Sequence, residues 1–253
     1  MKSFKPQGFT LVELLVVIGA LGILAAALTP AISNAVLQSN MTEVGAKGRD
    51  IFVAIAGANS QRKLLGLDSV WPRTEVSSWG GGGSRDISER IFSNSSDYFN
   101  ELYDGDNIGT ENWRPYVVGF DYSKLSGAGV PAKSGFGRLT PEYNMWAIAA
   151  NVRDEMADII PVLVTRNIDC SNLYRDLPPD GMDGMLTWSY IYRTPLSNKG
   201  FVMVRKGGAI FKARAKYATV KVVYQNQSFM TTEWHSYRAG LSYLGPEGQQ
   251  MPR

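Results

Sequence analysis

The chain has 253 residues, 44% of them apolar and 19% charged, with 26 Lys and Arg against 23 Asp and Glu for a formal net charge of +3. That balance suits one or two globular domains and excludes both a disordered tail and a strongly basic nucleic-acid binder. A single cysteine, Cys170, excludes an intrachain disulfide or a multi-cysteine zinc site, and a single histidine, His235, excludes a His-based metal centre and leaves Ser-His-Asp chemistry without support.

In chain order, the first segment departs furthest from average. Residues 9–32 read FTLVELLVVIGALGILAAALTPAI, 24 residues whose only strongly polar member is Glu13. As a helix this run would reach roughly 36 Å, enough to cross a hydrocarbon core of about 30 Å. Lys2 and Lys5 precede it with no acid beside them, which keeps that end in the cytoplasm and sends the rest of the chain across the membrane. Three plain readings compete: a cleaved secretory signal with Ala25, Ala26 and Ala27 as its small-residue site, a simple anchor, and a buried core helix. Glu13 argues against all three, because a carboxylate in hydrocarbon is costly unless something compensates it. A cut after Gly8 would supply the compensation: the ammonium of Phe9 would lie four residues before Glu13, on the same helix face, and the carboxylate would suit the positive end of the helix dipole. Paired instead with the amine of a neighbouring chain, Glu13 would set the axial register between subunits.

The run Gly8, Phe9, Thr10, Leu11, Val12, Glu13 ahead of an apolar stretch resembles the class III signal and N-terminal helix of type IV pilin-like proteins. The resemblance implies cleavage between Gly8 and Phe9 by a prepilin peptidase, methylation of the Phe9 amine, and Glu13 in subunit registration. It also implies a softened or unwound helix between Gly22 and Pro30 in a filament, in keeping with the helical N–H that proline lacks. A third implication is α+β architecture, a long helix on an antiparallel sheet. Many pilus subunits close a C-terminal loop with a disulfide, which one cysteine forbids, so the resemblance points to a pseudopilin or minor pilin.

Downstream, Leu37, Met41, Val44, Gly48, Ile51, Ile55 and Ala58 recur with spacings of 4, 3, 4, 3, 4 and 3, a helical stripe, and Gly66 offers a stop. The spacing predicts one helix of about 50 residues, bare and apolar in its first half and amphipathic in its second; two helices broken at Pro30 are the alternative. The segments are therefore 1–8 as leader, 9–32 as membrane or filament-core helix, 33–66 as amphipathic helix, and 67–253 as an exported domain with a C-terminal antiparallel sheet. Residues 70–137, rich in Gly, Ser, Asn and Asp, read as loop around one short helix over 87–102. Within them, 86–111 holds seven acids and one base. Strands are predicted at 146–152, 162–165 and 219–224, with a hairpin from 201–204 through 205–208 to 209–211, where Gly207 and Gly208 suit positive φ.

Chemistry is sparse. Between Asp183 and Glu233 there is no acid, while Arg193, Lys199, Arg205, Lys206, Lys212, Arg214, Lys216 and Lys221 are all basic. They read as outward positions guarding edge strands, as a subunit contact docking on the 86–111 region of a neighbour, or as a site for an anion such as DNA or a polysaccharide. Nucleic acid is not the expected partner. Asp176, Asp180 and Asp183, or Asp104, Asp106 and Asn107, would offer calcium oxygen ligands on turns, as secretion pseudopilins do as a family, although neither run has EF-hand spacing; otherwise no cofactor is expected. His235 and Cys170 read as structural, and the six tryptophans and twelve tyrosines as core with a secondary reading as glycan stackers. The expected protein is a non-enzymatic filament subunit in the bacterial inner membrane, its domain periplasmic. Its partners are copies of itself or other pilins, the prepilin peptidase and the inner-membrane assembly platform. A membrane-anchored adhesin or glycan-binding module is the alternative.

Overall fold

A computed structural model describes residues 10–74, 86–104, 116–134, 137–170, 173, 186, 196–224, 241–247 and 249–250. The chain divides into two compact units, 1–39 and 40–253. In the first, the helix begins at Leu11 and residues 10–36 are all exposed, Leu11 by 79% and Ile23 by 75%.

Helix α1 spans Leu11–Leu64 with Pro30 inside it, so the two-helix alternative does not hold. It ends as the sequence predicts. Gly66 takes φ +70°, its N–H donates to the Lys63 carbonyl at 3.2 Å, and the Leu67 N–H donates to the Arg62 carbonyl at 3.0 Å, which together form a Schellman stop.

In the second unit, Met41, Val44, Gly45, Gly48, Ile51, Ile55 and Ala58 of α1 are buried. They lie on an antiparallel sheet of order β4-β3-β2-β1-β5-β6, formed by β1 (Trp146–Ala150), β2 (Pro161–Thr165), β3 (Gly200–Arg205), β4 (Ile210–Arg214), β5 (Ser242–Leu244) and β6 (Gln249–Gln250). The α+β layout of a long helix on an antiparallel sheet is thus the observed one. Contact is closest at two glycines. A Cβ on Gly48 would sit 2.6 Å from Trp146 Cη2 and 2.8 Å from Val204 Cγ2, and one on Gly45 would sit 2.9 Å from Ile210 Cγ2. Trp146, fully buried, is held by its indole N–H, which donates to the Lys124 carbonyl at 3.2 Å.

Both faces of the central strands are buried, not one. On the face away from α1, Tyr243 Oη donates to the Pro161 carbonyl and Arg205 to the Val223 carbonyl, so the segment after β4 forms part of a second cover. That segment corrects a prediction. Residues 219–224 are not a strand; Val220–Val223 form a short helix, α3, because Thr219 Oγ1 caps the Val222 N–H at 3.2 Å and the two buried valines, Val220 and Val223, are three apart. Alternation of Val and Lys imitated a strand.

The predicted helix over 87–102 is also two pieces. A 3₁₀ turn, Ile87–Glu89, is capped by Asp86; the chain then bridges Ile91 to Arg73, with the Phe92 N–H on the Arg73 carbonyl at 2.9 Å. Helix α2 follows over Ser95–Asp104, its first turn closed reciprocally by Asn94 and Asp97 at 2.7 Å in each direction. Two capping residues eight positions apart break what periodicity alone reads as continuous. β1 stops at Ala150 rather than at 152, since Asn151 takes φ +60° and exchanges hydrogen bonds with Thr74. In the β3–β4 turn only Gly208 has positive φ (+79°); at Gly207 the φ is not positive, and a Cβ there would crowd Asp158 Cβ at 3.1 Å.

The far end of α1 is tied down by Asp86. Burial raises its carboxyl pKa, but the Ser88 N–H and hydroxyl (2.8 and 2.7 Å) and the Arg62 guanidinium (2.7 Å) outweigh that and hold it below the usual aspartate range. A folded pKa below the unfolded one gives stability that is present above about 3.9 and lost as pH falls through the lower folded value. The melting-temperature difference between wild type and Asp86→Asn should therefore shrink on acidification from neutral pH, as read by circular dichroism.

Packing makes a second prediction. Gly48→Ala should destabilise the protein by about 1–3 kcal/mol through overpacking against Trp146 and Val204. Gly57→Ala, with nothing within 4 Å of the new Cβ, should be neutral or stabilising by up to about 1 kcal/mol. Urea denaturation of the two variants checks both.

Candidate functional site: the start of the long helix

Thr10 and Glu13 build the first turn of α1. The Thr10 N–H and hydroxyl donate to Glu13 Oε2 at 2.8 and 2.7 Å, and the Glu13 N–H donates to Thr10 Oγ1 at 3.3 Å. This is a capping box: two N–H groups that have no intrahelical partner are satisfied reciprocally, which matters most where no water can replace them. The partner that Glu13 requires is therefore supplied in part by its own chain. The pattern Thr-x-x-Glu before an apolar run carries that signal in the sequence, and charge reasoning passed over it. Among the described residues Oε1 accepts no hydrogen bond, which leaves half of the carboxylate for another cation. Gly8 and Phe9 lie outside the described residues.

Further along the exposed helix, Gly22 has open space where a Cβ would be. Pro30 leaves the Ala26 carbonyl without its helical donor, and the Thr29 hydroxyl turns back on the Ala25 carbonyl at 2.8 Å. The helix is unbroken here, yet it has one hydrogen bond fewer where the resemblance implies unwinding.

The basic residues separate. Arg205 is only 6% exposed, its guanidinium donating to the Val223 carbonyl and lying 5.1 Å over the Phe211 ring. Lys206 bonds the Asp154 carbonyl at 2.8 Å and stands 3.7 Å from Asp158. Lys212 reaches Thr42 Oγ1 at 3.2 Å, Lys216 lies 4.6 Å over the Tyr217 ring, and Arg214 ends β4 half-buried. Arg193 is outside the described residues. In the acidic segment, Asp86 pairs with Arg62 and Glu101 with Arg90 at 2.6 Å, so two of its seven acids are spent within the fold.

Asp176, Asp180, Asp183, Asp106, Asn107, His235, Glu233 and Trp234 lie outside the described residues, and Asp104 is the last residue of α2. Cys170 is fully buried, and burial first, then Asp169, raises its thiol pKa well above the usual value. An open groove of about 490 Å³ lies between the end of α1 and residues 152–155, its charges already paired as Lys63–Asp154, Arg73–Asp68 and Arg153–Glu155.

Compared with known families, residues 4–29 match the model of the prokaryotic N-terminal methylation motif. The chain therefore carries the class III signal of a type IV pilin-like protein, and among the described residues one helix, α1, is long and apolar enough to cross a membrane, which together support membrane anchoring. The motif points to a structural protein rather than an enzyme, and to processing by a prepilin peptidase. Neither the curated proteins nor the solved structures give a match to this chain.

Proposed function

We propose that the chain is a structural subunit of a type IV pilus-like filament, and within that class a pseudopilin of a type II secretion system. The observation that carries the reading is the methylation motif over 4–29 leading into a helix whose residues 10–36 have no protein cover. On this reading the precursor is inserted with residues 40–253 in the periplasm, cut between Gly8 and Phe9, and methylated on the Phe9 amine. It is then extracted by the assembly platform into a filament where apolar helices replace lipid by one another. The single cysteine, which forbids a C-terminal disulfide loop, favours a pseudopilin or minor pilin over an adhesive pilin. In the groove beside Lys63 a glycan would have to compete with three existing ion pairs.

Glu13 carries two tasks in this scheme. Oε2 closes the helix start on Thr10, and Oε1 receives the amine of a neighbouring subunit, which sets the stagger. The two tasks separate by mutation. Glu13→Gln keeps an oxygen for the Thr10 donors and loses the charge, so it should cut sheared-filament yield about as strongly as Glu13→Ala. Normal yield from Glu13→Gln with a defect confined to Glu13→Ala would leave capping as the only role and sink the charge-register reading. Processing is checked apart from assembly. Mass spectrometry of the membrane-extracted protein should find a chain that starts at Phe9 and is heavier by one methyl group; a start at Met1 or after Ala27 would contradict the scheme.

A further inference from the structure

Two groups stand out among the described cations of residues 40–253. Eight form ion pairs with carboxylates: Lys47, Arg62, Lys63, Arg73, Arg90, Lys124, Arg153 and Lys206. Lys199, Lys212, Arg214 and Lys216 take part in none among the described residues, and they gather in one place, where β3 begins and β4 ends. Gly200 is in register with Arg214 and Val202 with Lys212, and the Ala215 N–H donates to the Lys199 carbonyl at 3.0 Å. Lys199, Lys212 and Lys216 are exposed, and beside them Tyr217 is 53% exposed.

The position of this rim follows from α1. Lys212 meets Thr42, next to Asn40 where the chain enters the unit, whereas the β3–β4 turn lies further along the helix, with Gly208 against Phe52. At that other end the cations are neutralised, Lys63 by Asp154 and Lys206 by Asp158. Thr42 stands ten residues after Ile32, the end of the apolar segment, so the chain tethers the rim's neighbourhood to the bilayer by roughly 35 Å at full extension and about 15 Å as helix.

We propose that Lys199, Lys212, Arg214, Lys216 and Tyr217 rest on the anionic phospholipid headgroups of the membrane that holds the N-terminal helix, docking the unit there before the subunit enters a filament. The inference rests on the reading of residues 9–32 as a membrane helix. Unpaired cations spread over a strand end and a turn fit a charged plane better than a small anion, and each is worth most within a Debye length of such a plane. A half-exposed tyrosine among them is the residue type that settles at headgroup depth. Tethering supplies the concentration that individually weak contacts need.

The test is hydrogen exchange of the full chain in lipid nanodiscs, phosphatidylcholine alone against phosphatidylcholine with phosphatidylglycerol, read on peptides over 196–199 and 215–221. Exchange there should slow by about fivefold or more in anionic discs, the weight of one cation at such a surface. The protection should disappear at high salt and in a Lys199→Gln, Lys212→Gln, Arg214→Gln, Lys216→Gln variant. The salt arm uses wild type, so it stands even if that variant folds poorly. Equal exchange in both discs, with the chain co-migrating with them, overturns headgroup docking and leaves the anchor intact. Failure to co-migrate overturns the anchor itself, and the docking with it. Protection that ignores lipid charge and rises with the number of chains per disc assigns these cations to a second copy, which also overturns the proposal.

Discussion

A run of 29 residues, 14–42, contains no charge, and most of it is exposed helix. Such a surface is not tolerated in water: it must lie in hydrocarbon or against other helices like itself. Everything else about the protein is arranged around that constraint. At the helix start Thr10 and Glu13 satisfy two of the backbone donors at its mouth, and the first ion pair along α1, Glu43 with Lys47, comes after the apolar surface has ended.

The same helix uses its glycines in two ways. Gly45 and Gly48 are absences of side chain that let α1 approach the sheet until Trp146, Val202, Val204 and Ile210 fill the space, and a methyl group at either would collide. Gly19, Gly22 and Gly57 touch nothing. In a monomer those positions only weaken the helix; in a bundle they are where helices come closest or bend. The anchoring of α1 to its own sheet therefore rests on packing, while the paired charges along it, mostly exposed, add registration more than stability.

Charge is distributed with similar economy. Eight described cations of the second unit meet a carboxylate of the same unit, and burial at the sheet takes Arg205 out of the surface set although it stands in the same basic run as Lys212 and Lys216. Lys199, Lys212, Arg214 and Lys216, which form no ion pair among the described residues, lie together at one end of the sheet, near the point where the chain enters the unit. Of the seven described members of that basic run, four thus gather as a local feature once the strands place them.

How much of this was legible beforehand varied with the range of the interaction that decides it. The helix, its buried stripe, its stop at Gly66 and the meander from β1 to β4 follow from periodicity and from glycine chemistry within a few residues. Thr219 and Asn94 fall in the same local class, yet periodicity outshouted their caps and the predicted strand over 219–224 and helix over 87–102 were wrong. The class III signal was complete in the first 30 residues, because a peptidase and a membrane read sequence before any fold exists. The placement of β5 beside β1, the cover on the second sheet face and the separation of Arg205 from its basic neighbours were decided only by tertiary structure. Each depends on which groups meet across tens of residues, and a linear pattern carries no distance between them.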